Sequence, residues 1–420
     1  MVMRIKNDRS HLLFLLAALI FCLPLLLLAF RLLLGEISFR QMDEKGLLSA
    51  ASLDSRNATY QYALGRFYQY SSDASDIDKA IRHYRNSLRQ SPLQAGCWLD
   101  LSKAYLTAGL TKEAEAALER AIGLNPKNPA VMWEAGIFYL MSGSMDMAVK
   151  AFKKFILIKP EMQDDIYDLL WKLKLKPHYI LSNLIPESYP YYRGYLLYLI
   201  STERITESNN LWKRIEFLPK EDELFLRYTD FLISRHLYNE AGDVWKVFTD
   251  KKNKKVSEDR PSLIWNGSFE LDIENSGFDW RVSETKGVDV FLDRDIHLSG
   301  NCSLGVSFDG KENPDITIAS QVVKVVPGTK YLLRGYIKTS SITTTNGLFL
   351  LVEGHDCKSL YKKSEVVTGT NLWRELSIEF NAPPACNAIF VNMRREKSYK
   401  LDSIIGGITW IDEISLVQRQ

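Results

Sequence analysis

Histidine, cysteine, serine and carboxylate side chains build most active sites, and their spacing in this chain assembles none of the familiar ones. The six histidines, His11, His83, His178, His236, His297 and His355, form no H-E-x-x-H or other paired motif, so zinc hydrolysis has no ligand set. No G-x-S-x-G nucleophile elbow and no G-x-x-x-x-G-K-[ST] phosphate loop occurs. The five cysteines, Cys22, Cys97, Cys302, Cys357 and Cys386, contain no C-x-x-C pair and hence no zinc or thioredoxin-like motif. An oxidising compartment would allow one disulfide, for example Cys357 with Cys386; separate buried thiols are the competing reading. What the spacing does offer is a binding face. Along Tyr331–Thr339, alternation puts Leu333, Gly335 and Ile337 on one side and Arg334, Tyr336 and Lys338 on the other. The second side carries an aromatic ring between two cations. Glu353 and Arg394 are expected to join it from neighbouring strands. The alternative is a solvated outer face.

The elements that would carry this face follow from composition and period. The 420 residues suffice for two or three domains. At 46% hydrophobic and 25% charged the composition is that of folded protein. The formal charge of +2 and short charged runs such as Lys251–Lys255 and Arg394–Lys397 give no basic stripe, so nucleic acid is not an expected partner. Leu12–Phe30 is an uncharged apolar run with Pro24 inside it. As a helix it spans about 28 Å, close to the hydrocarbon core of a bilayer. It is longer than a signal-peptide core, and no small-x-small cleavage site follows. The expectation is an uncleaved signal anchor over residues 1–36. Arg4, Lys6 and Arg9 precede the span while Arg31, Arg40 and Lys45 follow it, so the positive-inside count is tied. The basic lead before a long apolar run favours a cytoplasmic N-terminus, with the remaining residues outside the cytoplasm.

Residues 37–250 carry a repeat. Trp98, Leu101, Tyr105, Ala114, Leu118, Ala121 and Pro126 recur 34 residues later as Met132, Ala135, Tyr139, Ala148, Phe152, Phe155 and Pro160. An earlier unit runs through Leu64, Gly65, Tyr68, Ala80, Tyr84 and Pro92, and degenerate later ones through Tyr191–Pro219 and Phe225–Phe248. Each unit reads as two antiparallel helices. Small residues such as Gly65 and Gly136 allow close approach, large ones fill the space between, and Pro92, Pro126 and Pro160 end the second helix. This pattern resembles the tetratricopeptide repeat, which implies a superhelix whose groove takes a protein or peptide partner. Residues 161–186, interrupted by Pro177 and Pro186, read as a distorted repeat. The tyrosines 189, 191, 192, 195 and 198 read as helix packing or, alternatively, as a partner-binding face.

Residues 251–262, KKNKKVSEDRPS, have the charge and lack of apolar period of a linker. From Leu263 onward nine or ten short strands are expected, among them Gln321–Val326, Tyr331–Thr339, Leu348–Glu353, Arg374–Phe380 and Ala388–Arg394, with a turn at Pro327-Gly328. These suggest an all-β two-sheet sandwich over 263–420. Asn266-Gly267-Ser268-Phe269-Glu270, Gly277-Phe278-Asp279-Trp280, Gly335-Tyr336-Ile337-Lys338 and the closing Trp410–Leu416 resemble the carbohydrate-binding modules of galactose-binding-like jelly-roll fold. The resemblance implies polysaccharide as a candidate ligand, and Arg334, Tyr336, Lys338, Glu353 and Arg394 as its contacts. It implies packed positions for Trp280, Trp373 and Trp410. It also implies a structural calcium held by Glu270 and Asp412, whose hard oxygens suit that ion; two surface carboxylates are the alternative.

Anchor, repeats and sandwich together resemble bacterial membrane proteins linked to exopolysaccharide assembly or export. That implies a single-pass inner-membrane scaffold acting in the cell envelope, and no enzyme. A protein-only adaptor with a structural sandwich is the first alternative. A glycan-active enzyme is the second, since two carboxylates suffice for glycoside hydrolysis.

Overall fold

The computed structural model describes residues 8–252 and 262–419; most of the expected linker lies outside them. The chain forms two compact units, Met1–Glu216 and Phe217–Gln420.

The first unit is helical. Helix α1 (Asp8–Phe39) has 32 residues, a length of about 48 Å. Its stretch Leu19–Phe39 is long and apolar enough to cross a membrane, with mean hydropathy 2.2, and a signal sequence near an N-terminus has the same character. The helix does not stop at the end of the expected span. Its last turns pack onto α2 (Glu44–Leu53) and α3 (Ala58–Tyr70). The Phe39 and Tyr60 rings stand 5.0 Å apart, and Arg31 donates to the Ser52 carbonyl at 3.4 Å.

From α3 the antiparallel pairs follow: α3 with α4 (Ile77–Gln90), α5 (Ala95–Thr107) with α6 (Thr111–Leu124), and α7 (Pro129–Met141) with α8 (Met145–Ile158). Polar side chains satisfy the free N–H groups at several starts. Asn57 accepts from Thr59 and Tyr60, Asp76 from Lys79, and Asn128 from Ala130. Each second helix ends two residues before Pro92, Pro126 or Pro160, as the repeat spacing requires. The small residues do what that spacing implies. A Cβ on Gly136 would stand 2.3 Å from the Phe152 ring, and one on Gly65 would stand 2.5 Å from Tyr84, so only glycine lets these pairs close.

The distorted stretch resolves into α9 (Gln163–Lys172), a single turn α10 (Pro177–Tyr179) and a π-helical turn over Ile180–Leu184. Then come α11 (Tyr189–Ser201) and α12 (Ile205–Arg214). Tyr192, Tyr195 and Tyr198 are buried. The latter two pack edge-on against Tyr167 at 4.9 and 5.1 Å, so these three tyrosines are core.

The second unit opens with two helices, α13 (Asp222–Ser234) and α14 (Tyr238–Lys251), and continues, among the described residues, as a sandwich of ten strands. The strands are β1 (Arg281–Val282), β2 (Val288–Asp293), β3 (Ser303–Asp309), β4 (Ile316–Lys324), β5 (Lys330–Ile342), β6 (Phe349–Gly354), β7 (Tyr361–Lys363), β8 (Gly369–Asn381), β9 (Ala388–Arg395) and β10 (Gly406–Arg419). One sheet has the order β1-β4-β9-β6-β7 and the other β2-β3-β10-β5-β8. Every pairing is antiparallel, and sequence neighbours repeatedly change sheets, as in a jelly roll. Leu304, Val306, Leu333, Ile337, Leu350, Val352, Val391 and Met393 fill the space between the sheets. The opening phrase forms a knot beneath them. Trp280 is fully buried and donates to the Asn266 carbonyl at 3.0 Å, while Asn266 bonds both backbone groups of Leu271. A Cβ on Gly267 would stand 2.0 Å from the Ile414 carbonyl oxygen, so only glycine fits there.

Candidate functional site

The strand alternation places Arg334, Tyr336 and Lys338 on the outer face of the second sheet, with Leu333, Gly335 and Ile337 inward. The Tyr336 hydroxyl donates to Glu375 on β8 at 3.1 Å, and Arg334 pairs with the same carboxylate at 3.6 Å. That bond, together with partial burial, raises the Tyr336 pKa above the ordinary phenol value. Lys338 lies 5.6 Å over the ring of Trp410, whose indole donates to Asp293 at 2.7 Å. Strand register carries the row on from Lys338 through Trp410 and Gly305 to Phe291. A Cβ on Gly305 would stand 2.5 Å from the Phe291 ring. Its absence lets the Phe291 ring lie over Gly305. Trp280 and Trp410 are buried, as expected, while Trp373 is half-buried.

Glu353 and Arg394 do not join this face. They sit on β6 and β9, which pair with each other in the first sheet, about 10 Å away across the core. The period-2 pattern says which residues point outward but not which sheet a strand enters, and the chain changes sheets between β5 and β6. On the first sheet's outer face, Asn392 donates to Glu353 at 2.7 Å, and Arg394 donates to Thr317 at 2.9 Å and Asp315 at 2.7 Å. Tyr361, half exposed, donates to Glu396 at 3.3 Å. Lys363 pairs with that carboxylate at 3.5 Å and covers Phe349 at 5.3 Å. Asn392, Tyr361 and Lys363 were missed from sequence. Alternation along β9 was the available signal for Asn392, whereas β7 is too short to show a period.

Glu270 and Asp412 meet at one loop. Glu270 accepts the N–H groups of Asn301 at 2.7 Å and Cys302 at 3.0 Å, and the Asn301 amide at 3.2 Å. Asp412, fully buried, accepts Leu298 at 2.8 Å, Ser299 at 3.2 Å and Glu413 at 2.7 Å. Burial raises the Asp412 pKa even against these donors. All six contacts present the positive end of an N–H dipole, whereas a calcium shell is built from oxygens. These donors make the two carboxylates a clasp for the loop.

The first sheet also receives the helical pair. Asp230 on α13 accepts from Ser276 Oγ at 2.6 Å, from the Gly277 N–H at 2.8 Å and from Arg281 at 2.6 Å. Tyr238 on α14 bonds the Nδ1 atoms of His236 at 2.7 Å and His355 at 2.8 Å. Burial, then the nearby Asp356 carboxylate, raises the Tyr238 pKa. His355 follows β6 directly, and its ring lies 4.6 Å from Phe390. Next to it Cys357 and Cys386 form a disulfide. Asp356 lies close to both sulfurs, but they are bonded to each other and are not metal ligands. The pairing left open by the sequence is thus present, and it anchors the loop that holds His355.

Compared with known proteins, residues 72–131 match the tetratricopeptide repeat family. No curated protein shows a significant match to the chain. Among solved structures, a family 16 carbohydrate-binding module is 21% identical, with 37% of this chain and 99% of that one covered and a TM-score of 0.28. A family 61 module in complex with β-1,4-galactotriose is 18% identical, covering 38% and 100% with TM-score 0.28. MamA is 17% identical, covering 52% and 95% with TM-score 0.27.

Proposed function

We propose that the chain is a membrane-anchored, non-catalytic scaffold that brings a protein partner, held by its helical repeats, to a cell-envelope polysaccharide held by its sandwich. The observation that carries this reading is the continuity of α1, which runs without a break from the apolar stretch into packing against α2 and α3. A span built this way holds the first repeat close to the bilayer surface. Tethering then raises the local concentration of whatever the repeats and the sandwich bind, without new chemistry. The Cys357–Cys386 disulfide supports an oxidising compartment for the sandwich, and with it a cytoplasmic N-terminus and an extracytoplasmic remainder. The two outer faces of the sandwich supply rings beside hydrogen-bonding groups, through Tyr336 and Lys338 on one and Tyr361, Asn392 and Arg394 on the other.

The joined helical pair favours one competing reading, in which the sandwich is a structural extension and the chain is a protein-only adaptor. Binding of a polysaccharide panel to the full chain in detergent separates the two. Saturable binding, weakened at least tenfold by Tyr336→Ala or Arg394→Ala, supports the scaffold. A folded protein that binds no polysaccharide, but retains a peptide partner through residues 50–250, supports the adaptor.

A further inference from the structure

Where α14 lies beside β4, the second unit encloses an open cavity of about 400 Å³ whose walls are the rings of Tyr238, Trp245, Trp265 and Phe278. Trp245 is drawn inward because Gly277 has no side chain: a Cβ there would stand 2.3 Å from the indole ring. So placed, Trp245 meets Trp265 nearly perpendicularly at 5.7 Å and 82°, and Phe278 at 6.3 Å and 72°. Rings at right angles do not stack into a closed slab, and a wedge of space remains between helix and sheet. Trp265 and Phe278 are only half-buried, so both retain accessible ring surface.

The polar groups at the cavity are of three kinds. Asn239 and Asp243 lie four residues apart on α14 and therefore on one face of it. Lys324 reaches across from the end of β4 and donates to the Asn239 side-chain oxygen. That leaves the Asn239 amide N–H groups and the exposed Asp243 carboxylate turned to whatever enters. Trp245 is 7% exposed, and its indole N–H is buried with no partner among the described residues. An unpaired buried donor is costly enough to be rare in folded proteins, and here it belongs to a residue of the cavity wall.

We infer that this cavity is a binding site for one or two sugar units, such as the terminal units of a glycan chain. A pyranose presents a C–H face to aromatic rings and hydroxyl groups around its edge. Trp265 and Phe278 supply the ring surface. Asp243 accepts from hydroxyls, and Asn239 and Lys324 donate to them. At 400 Å³ the cavity lies at the lower end of the small-ligand range of about 300–1,000 Å³, which suits one or two sugar units. The site needs α14 as well as the sandwich, so the sandwich alone does not contain it. This inference rests on the glycan-handling reading and assigns the chain end to the cavity, leaving the polymer to the outer faces.

The test titrates the full chain in detergent with disaccharides of the cello, xylo and galacto series, followed by tryptophan fluorescence and calorimetry. The variants Asp243→Ala, Asn239→Ala and Trp265→Leu are compared with Tyr336→Ala. Asp243 and Asn239 are exposed, so their variants are expected to keep the parent melting temperature. The expected result is saturable binding of at least one disaccharide, weakened tenfold or more by Asp243→Ala and by Trp265→Leu, and unchanged by Tyr336→Ala. If polysaccharide binds but no disaccharide does, or if disaccharide binding ignores all three cavity variants, the cavity is not the site and the scaffold reading stands. If neither polymer nor disaccharide binds to folded protein, both are overturned.

Discussion

Replacing Gly277 by alanine probes how firmly the helical pair is built onto the sandwich. Gly277 has φ +60°, a left-handed conformation that costs an L-residue about 1–2 kcal/mol. The added Cβ would also stand 2.3 Å from Trp245 Cζ3 and 2.5 Å from its Cε3. These are ring atoms, so no flexible end can swing aside. Trp245 is itself hemmed in by Phe248 at 5.3 Å and Trp265 at 5.7 Å. Forcing such a ring out of place typically costs about 1–3 kcal/mol. The two effects add to about 2–5 kcal/mol. For a unit of this size each kcal/mol lowers Tm by about 2–4 °C, so a fall of roughly 4–20 °C is expected. Calorimetry of the full chain measures the loss, and tryptophan emission should shift to the red as Trp245 gains solvent. In a Trp245→Ala background the collision has no partner, and the cost of Gly277→Ala should drop to the conformational part alone. An equal cost in both backgrounds would refute the seating of α14 against this loop.

Three further outcomes follow from the same contacts. His355 is held below the ordinary imidazole pKa by burial and then by the neighbouring His236, so the unfolded chain takes up its proton first. Its contribution is intact above about pH 6.5 and is lost as pH falls below that value; urea titrations across this range should show less acid destabilisation in His355→Gln. Reducing the Cys357–Cys386 bond, with a sequence separation of 29, removes a cross-link worth about 3–4 kcal/mol in the chain-entropy account. Equal midpoints with and without reductant would mean the pair is not bonded. Calcium and chelator should leave Tm unchanged, because Glu270 and Asp412 are occupied by N–H donors; a calcium-dependent rise of several degrees, abolished by Glu270→Gln, would overturn that assignment.

Much of the fold was legible because it is written in short periods. The 34-residue spacing works through contacts within a single hairpin, such as Gly65 with Tyr84 and Gly136 with Phe152, so neighbouring stretches of sequence suffice to reveal it. The alternation along Tyr331–Thr339 likewise gave the correct inward and outward sets. The placement of Glu353 and Arg394 failed because sheet membership depends on pairings between distant strands, and alternation carries no information about them. The bonding of the helical pair to the sandwich was hidden for the same reason: Asp230 and Arg281 are 51 residues apart, and Tyr238 and His355 are 117 apart. Nor did α13 and α14, which have the repeat pattern, reveal that they share a compact unit with the β-strands. Glu270 and Asp412 clasp one loop, but five of their six partners are backbone N–H groups that no side-chain pattern displays.

The measurement that bears most directly on the central claim is the side of the membrane on which the sandwich resides. Paired C-terminal reporters, one active only outside the cytoplasm and one only inside, read it in living cells expressing the full chain. Activity of the external reporter alone is expected, placing the disulfide and both binding faces where envelope glycans lie. Activity of the internal reporter alone would put the sandwich in a reducing compartment without access to those glycans, and would contradict the scaffold proposed for this chain.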